Sequence, residues 1–295
     1  MIRFAVAMCA LRVSPVVQDH ASCGVMTTPT HPNPPAPRAI GRINGLGLWT
    51  LYRKEVHRFL KVAMQTVLAP VATTLLFITV FVLAFGDRRP SVEGVPFAEF
   101  LAPGLILMGV LNNAFANSSS SLLVSKVQGN TVDFLMPPLS SAELAAAFIG
   151  GAITRGVVVG GATALFLMWF IDLSLHSIWA TLFFGLGSAM MLGMVGVIGG
   201  VWAEKFDHLS VVTNFIIMPL TFLSGTFYSV SILPEPFQTL SHFNPFFYMI
   251  DGFRYGFTGH ADGNVLIGVA IVSAINLVLL IACYRILDSG WRLKS

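Results

Sequence analysis

The sequence predicts an all-α membrane protein: six transmembrane helices, an N-terminal interfacial helix, and a re-entrant helical hairpin between helices 5 and 6. Three observations carry that expectation. The 295 residues are 55% hydrophobic and only 11% charged, against about 25% charged in a soluble domain. Six apolar runs each supply the roughly 20 residues that a helix needs to cross ~30 Å of hydrocarbon. A further stretch, FLSGTFYSVSILPEPFQTLSHFNPFFYMI (222–250), is as greasy as a span yet broken by Pro234, Pro236 and Pro245.

In chain order, residues 1–44 read as a disordered leader. From Met26 the run MTTPTHPNPPAPR is rich in prolines that favour an extended, solvated chain, and translation from Met26 would leave the first 25 residues outside the protein. Residues 45–61 follow as an amphipathic helix. Apolar or aromatic residues at 48, 49, 52, 56, 59 and 60 share a face flanked by Arg53, Lys54, Arg58 and Lys61, the pattern of a helix lying in the membrane interface. The transmembrane domain runs over 62–288, with spans near 62–85, 100–125, 144–171, 178–203, 209–230 and 265–284, and residues 289–295 form a tail. With the N-terminus in the cytoplasm, 14 of the 17 Lys and Arg residues fall inside, leaving Arg88, Arg89 and Arg254 outside. The positive-inside rule therefore puts both termini in the cytoplasm of a multi-pass plasma (inner) membrane protein.

Several chemistries are unsupported. A net charge of +3 gives no argument for nucleic acid, and Cys9, Cys23 and Cys283 build neither a disulfide framework nor a CxxC site. The seven histidines show no ligand spacing such as HExxH, and no serine sits in GxSxG, so neither a metal nor a catalytic site is expected. Span 2 carries LNNAFANSSSS, amides and hydroxyls that lipid cannot satisfy. Asn112, Asn113, Asn117 and Ser118 either line a path or hydrogen-bond between helices. Small-xxx-small spacings at Gly156/Gly160 and Gly196/Gly200 serve packing within one subunit or a dimer seam. Arg155, the lone charge within span 3, is expected to snorkel to the cytoplasmic end.

The connection SKVQGNTVDFLMPPLSSAEL (125–144) is more telling. Gly129 and Asn130 break the helix, Thr131 is placed to cap a short turn, and Pro137 and Pro138 end it before Ser140 or Ser141 caps the next helix ahead of Glu143. The short helix is expected to present Val132, Phe134, Leu135 and Met136 to the cytoplasm, either for docking a partner or for lying on the membrane surface. In 222–250, span 5 ends near Tyr228 and a turn passes through Leu233-Pro234-Glu235. A short helix starts at Pro236, and Asn244 caps a second whose first residue is Pro245. Half-helices at membrane depth must pack on protein or line a cavity; the alternative is two helices on the outer surface.

From about residue 46 to the end, the chain resembles the type-2 family of ABC exporter permeases. The resemblance rests on the basic helix before span 1, on TVDFLMPPLSSAEL, and on the ordered set Ser224-Gly225, Leu233-Pro234, Asn244-Pro245, Tyr248 and Arg254. Where many members have Phe-Pro after the Ser-Gly pair, this chain has Phe227-Tyr228-Ser229. The resemblance implies a dimer of permeases, a homodimer or a pair of different chains, bound to separate ABC ATPase subunits that carry ATP and Mg. It assigns coupling to Val132, Asp133, Phe134, Leu135, Pro137, Pro138 and Leu139, with Arg53, Lys54 and Glu55 at a second contact. It assigns an outer re-entrant gate to Gly225, Phe227, Leu233, Pro234, Asn244, Pro245, Tyr248 and Arg254, with Asp251 and Arg254 at its polar rim. The substrate class it implies is hydrophobic or amphipathic: a drug, lipid or glycan moved outward among membrane lipid. No GxxxxGK[ST] loop occurs in the chain. An ion-coupled secondary transporter would need midplane ion-coupling groups and often an inverted repeat, and neither is visible. A non-transporting scaffold or membrane enzyme is the other rival.

Overall fold

The computed structural model describes residues 41, 43–85, 91–92 and 94–293. The leader up to residue 40, and Arg42, Arg88, Arg89 and Lys294 of the charge count, lie outside the described residues. Helix α1 (Gly45–Leu60) is capped by Asn44, whose side chain accepts from the Gly47 amide. A π-helical turn (Met64–Leu68) leads into α2 (Ala69–Phe85). A two-residue hairpin, β1 (Ser91–Val92) with β2 (Val95–Pro96), precedes α3 (Phe97–Val127). Then come α4 (Val132–Leu135), α5 (Ser141–Leu167) and α6 (Ile178–Trp202). Helix α7 (Phe206–Val212) continues through a second π turn (Thr213–Ile217) into α8 (Met218–Leu223). The chain ends with α9 (Glu235–Phe243), α10 (Pro245–Thr258) and α11 (Val265–Ser289).

Among the described residues, six helical stretches are long and apolar enough to cross a membrane: 64–84, 97–127, 141–167, 178–202, 206–223 and 265–289. They fall on the six expected runs. The fifth stops at Leu223 rather than near Tyr228, because Gly225 takes a left-handed φ of 76° that turns the chain. Ser140 makes the expected capping box with Glu143. Thr131 makes no cap; its backbone is already helical and its side chain accepts no amide.

Helix α3 is the axis of the bundle and the most buried span, packed chiefly against α6 and α5. Glycines let these helices close on it. A Cβ on Gly196 would lie 2.6 Å from the Phe115 carbonyl oxygen, and one on Gly200 would lie 2.9 Å from the Ser119 carbonyl oxygen. Gly156 and Gly160 of α5 straddle the Val110 side chain, whose two methyls fill the space that a Cβ at either position would take. Both small-xxx-small pairs thus serve packing within the subunit, where close backbone approach replaces the hydrophobic drive that lipid removes.

Alanine at Gly196 is therefore expected to cost about 1–3 kcal/mol through overpacking. Alanine at Gly161, where an added Cβ meets nothing, is expected to be neutral or slightly stabilising. Thermal unfolding of the two variants in the same detergent checks the contrast.

Candidate functional site

A cavity of about 990 Å³ runs between α2, α3 and the α7–α8 helix. The stripe that α3 gives it has helical spacing, with Leu105, Met108, Gly109, Asn112, Ala116 and Ser119 one to two turns apart. Both π turns border it, through Gln65 and Thr66 on one side and Thr213 and Asn214 on the other. Such turns recur at functional sites, since the extra residue per turn re-aims the side chains around it. Hydropathy carries no signal for them. The lining is mixed: Thr66, Ser119, Ser120 and Ser210 lie at the α1 end beside Val62, Phe206 and Leu209, and Phe77, Leu105, Met218 and Phe222 line the opposite half beyond Thr73 and Thr74.

Of the four expected lining residues, Asn112 and Asn113 face the cavity. Asn117 and Ser118 do not, because their positions on the helix turn them into the packing. Asn117 is fully buried and accepts from Arg58 through both its backbone oxygen (2.6 Å) and Oδ1 (3.1 Å), while Ser118 is buried against Gly196. Arg58 also donates to Ser120 Oγ and to Glu55 Oε2, each at 3.1 Å, and Glu55 Oε1 accepts from Ser121 Oγ at 2.7 Å. Glu55 is 1% exposed. It was expected at a partner contact, but a carboxylate with a cationic partner and a hydroxyl donor is a buried anchor, tying α1 to α3. Arg155 departs from the snorkelling expectation as well. It turns into the cavity wall, where Nε and Nη2 donate to Asn113 Oδ1 at 3.2 and 3.0 Å.

At the α1 end the short helix α4 is mounted on a rigid frame. Phe134, expected to be exposed, is 2% exposed and packs edge-on to Phe148 of α5 at 5.7 Å. Burying the ring contributes more than presenting it to water, on the order of 1.5–3 kcal/mol. Leu135, Pro137 and Leu139 are half-buried, while Val132, Asp133, Met136 and Pro138 are exposed. Lys54 lies 3.9 Å from Asp133, Arg53 is exposed nearby on α1, and Asn44 Nδ2 donates to the Pro138 carbonyl at 3.1 Å. The Glu143 carboxylate accepts from the Asn44 and Ser140 amides, joining α1 to α5.

At the other end of the cavity, Phe227 stacks on Phe81 at 4.9 Å and meets Phe77 and Phe222 at 5.9 and 5.4 Å. This aromatic cluster lies at the apolar limit of the lining. Behind it, Asn244 caps α10 by accepting from the Phe246 amide, and its Nδ2 donates to the Leu220 carbonyl (2.7 Å) and to Ser224 Oγ (2.8 Å). Pro245 stands at the first helical position as expected, and α9 begins at Glu235 behind Leu233 and the exposed Pro234. Half-buried Tyr248 packs beside Phe247. Helix α10 is pressed against the first turns of α6, where Gly252 meets Phe184 and Gly256 meets Thr181.

Arg254 and Asp251 correct the expectation of a polar rim, because both are buried, at 2% and 4% exposure. Arg254 donates to the Gly225 carbonyl and lies 3.9 Å over the Phe100 ring. Asp251 accepts from the Asp262 and Gly263 amides at 2.8 and 2.9 Å, and Asp262 accepts from Ser229 Oγ and the Val230 amide. Together they pin the loops on either side of the hairpin. No group of three or more His, Cys, Asp or Glu side chains among the described residues is arranged to hold a metal ion.

Residues 47–258 match the ABC-2 type transporter family. The chain belongs to that family. It is 35% identical over 251 residues to the inner membrane transport permease YadH of Escherichia coli (strain K12), covering 85% of this chain and 98% of that protein. It is also 23% identical over 241 residues to nodulation protein J of Rhizobium leguminosarum bv. viciae, covering 79% of this chain and 89% of that relative. Nodulation protein J of Sinorhizobium fredii (strain NBRC 101917 / NGR234) is 22% identical over 234 residues, or 77% and 86% of the two chains. An ABC-2 transport permease subunit of the multi-pass membrane class accounts for both the family match and the six apolar helices.

Removing the Asn244 side chain as Asn244→Ala is expected to cost about 1–3 kcal/mol, because a helix cap and two cross-element donors are lost together. Asn244→Asp keeps the cap but not the donors and should fall between alanine and the parent. Thermal unfolding combined with proteolysis of the 229–235 segment reads both effects.

Proposed function

We propose that this chain is the permease subunit of an ATP-driven exporter in the inner membrane. Two such subunits pair with separate ATPase chains, and a hydrophobic or amphipathic substrate moves outward along the cavity beside α3. Both termini face the cytoplasm, with residues 1–44 a leader outside the transmembrane domain, residues 45–61 the interfacial helix and 289–295 the tail. The name of the Escherichia coli relative, an inner membrane transport permease, supports the location.

The observation that carries the reading is α4. Its exposed tip of Val132, Asp133 and Met136 stands on a frame fixed by Phe134, by the Ser140–Glu143 capping box and by α1. A small apolar and acidic surface on a stiff mount transmits a push rather than absorbing it. ATP-driven closure of the partner acts by binding one membrane state better than the other. The α9–α10 hairpin, with Phe227 at the apolar limit of the cavity, is the outer gate and re-enters the bilayer packed on α6. Two arginines and no carboxylate line the cavity among the described residues, which favours ATP over a proton gradient as the drive.

The tagged chain, purified in mild detergent from its own host, is expected to bring down a stoichiometric subunit that hydrolyses ATP and carries a GxxxxGK[ST] loop. Val132→Asp combined with Met136→Asp should abolish that association while changing stability by no more than about 0.5 kcal/mol. Phe134→Ala should instead cost about 3–5 kcal/mol of stability. An ATPase retained at full stoichiometry by the double variant would overturn the docking role of α4.

A further inference from the structure

Arg155 stands near the middle of α5, a helix long and apolar enough to cross a membrane, and a charge at the centre of such a helix has no favourable contact with lipid. Its Nε and Nη2 both donate to the single Oδ1 of Asn113, and Nη1 meets no acceptor among the described residues. A guanidinium carries five donors in a planar fork. Here a neutral amide orients that fork without cancelling its charge. The other arginine in the lining, Arg58, is matched by Glu55 at 3.1 Å. Among the described residues no carboxylate lines the cavity, which leaves Arg155 as a positive charge without an acidic partner there.

That charge sits where the lining changes character. Towards α1 the wall offers hydroxyls and amides, including the Gln65 and Asn214 side chains, which bond to nothing among the described residues. Away from α1 the wall passes Thr73 and Thr74 and then turns apolar, ending on Phe77 and Phe222. One residue from Asn113, the Oδ1 of Asn112 is buried and without a hydrogen-bond partner among the described residues.

Building on the export reading above, we propose that the cavity takes an anionic amphiphile. Its phosphate or carboxylate binds Arg155, its hydroxyl-bearing head faces the α1 end, and its chain lies along the apolar wall. Arg155 selects the substrate by charge, and Asn113 is a positioning residue that aims the guanidinium. A phosphate or carboxylate meets such a fork through two parallel charge-assisted bonds, and exclusion of water strengthens them. A neutral head leaves Arg155 unmatched, and a cationic one is repelled by it.

The test uses the full chain in nanodiscs of zwitterionic lipid, with equilibrium binding of decyl phosphate, decyl maltoside, decyltrimethylammonium and inorganic phosphate, and empty nanodiscs as reference. Decyl phosphate is expected to bind at least about tenfold more tightly than the other two alkyl probes, with no measurable binding of inorganic phosphate. Arg155→Gln should weaken decyl phosphate roughly tenfold to a hundredfold, the worth of a hydrogen bond to a charged group, and leave decyl maltoside unchanged. Asn113→Asp gives Arg155 a carboxylate of its own with no change in side-chain size. It should produce the same selective loss, and it decides the matter if Arg155→Gln does not fold. Equal affinity for the three alkyl probes overturns the proposal, as does inorganic phosphate binding as tightly as decyl phosphate, or undiminished decyl phosphate binding by folded Asn113→Asp. No ATPase takes part in the assay. A chain that brings down its ATPase but shows no preference for phosphate keeps the export reading and loses this one; phosphate selectivity without an ATPase does the reverse.

Discussion

Helix α3 places a run of amides and hydroxyls, Asn112 to Ser121, in a segment that crosses the membrane, and hydrocarbon offers those groups no partners. The rest of the bundle answers that constraint. On one side the glycines of α5 and α6 bring backbone so close to α3 that lipid is excluded. Some of its hydroxyls turn back onto its own carbonyls, as Ser119 does to Phe115. On a second side α1 folds under the bundle and supplies the Glu55–Arg58 pair, which meets the two Asn117 oxygens, Ser120 and Ser121, while Asn117 Nδ2 and Ser118 Oγ stay buried without a hydrogen-bond partner among the described residues. The remaining face, with Asn112 and Asn113, opens onto the cavity.

That division links the two ends of the molecule. The anchor that holds α1 against α3 also places α1 beside α4, so in the proposed mechanism a force applied at the α4 tip is delivered to the helix lining the cavity. At the opposite end, Gly104 of α3 lets the loop after α8 approach so closely that an added Cβ would lie 2.8 Å from the Thr226 carbonyl oxygen. Arg254 holds the same loop through Gly225. In the proposed mechanism, movement of α3 relative to α8 is felt at both the α4 tip and the aromatic cluster around Phe227. The π turns at Met64–Leu68 and Thr213–Ile217 lie in the two helices that face α3 across the cavity.

Much of this was legible from residue order. The six apolar runs, the Ser140–Glu143 box and the Asn244-Pro245 helix start each depend on local chemistry, and each stands where the residues put it. What was not legible depends on rotation about a helix axis or on a distant partner. Asn112 and Asn117 are chemically alike and five residues apart, and only the position of α1 decides that one faces the cavity and the other Arg58. Phe134 reads as exposed on a four-residue helix until Phe148 is brought beneath it. Asp251, Arg254 and Glu55 read as surface charges because charge is usually solvated. Their burial is tolerated because backbone amides, a carbonyl or a partner charge meets each one, and those partners lie 11, 29 and 3 residues away.

The account rests on the claim that α3 divides its polar groups between dry packing and a water-accessible path. Single cysteines at Asn112, at Thr73 across the cavity and at Ser118 in the packed face, in a background with the native cysteines replaced, test it directly by reaction with a hydrophilic maleimide in the membrane. The account predicts rapid labelling at 112 and 73 and none at 118 until the protein is denatured. Position 112 inert, or positions 112 and 118 reacting alike, would contradict it.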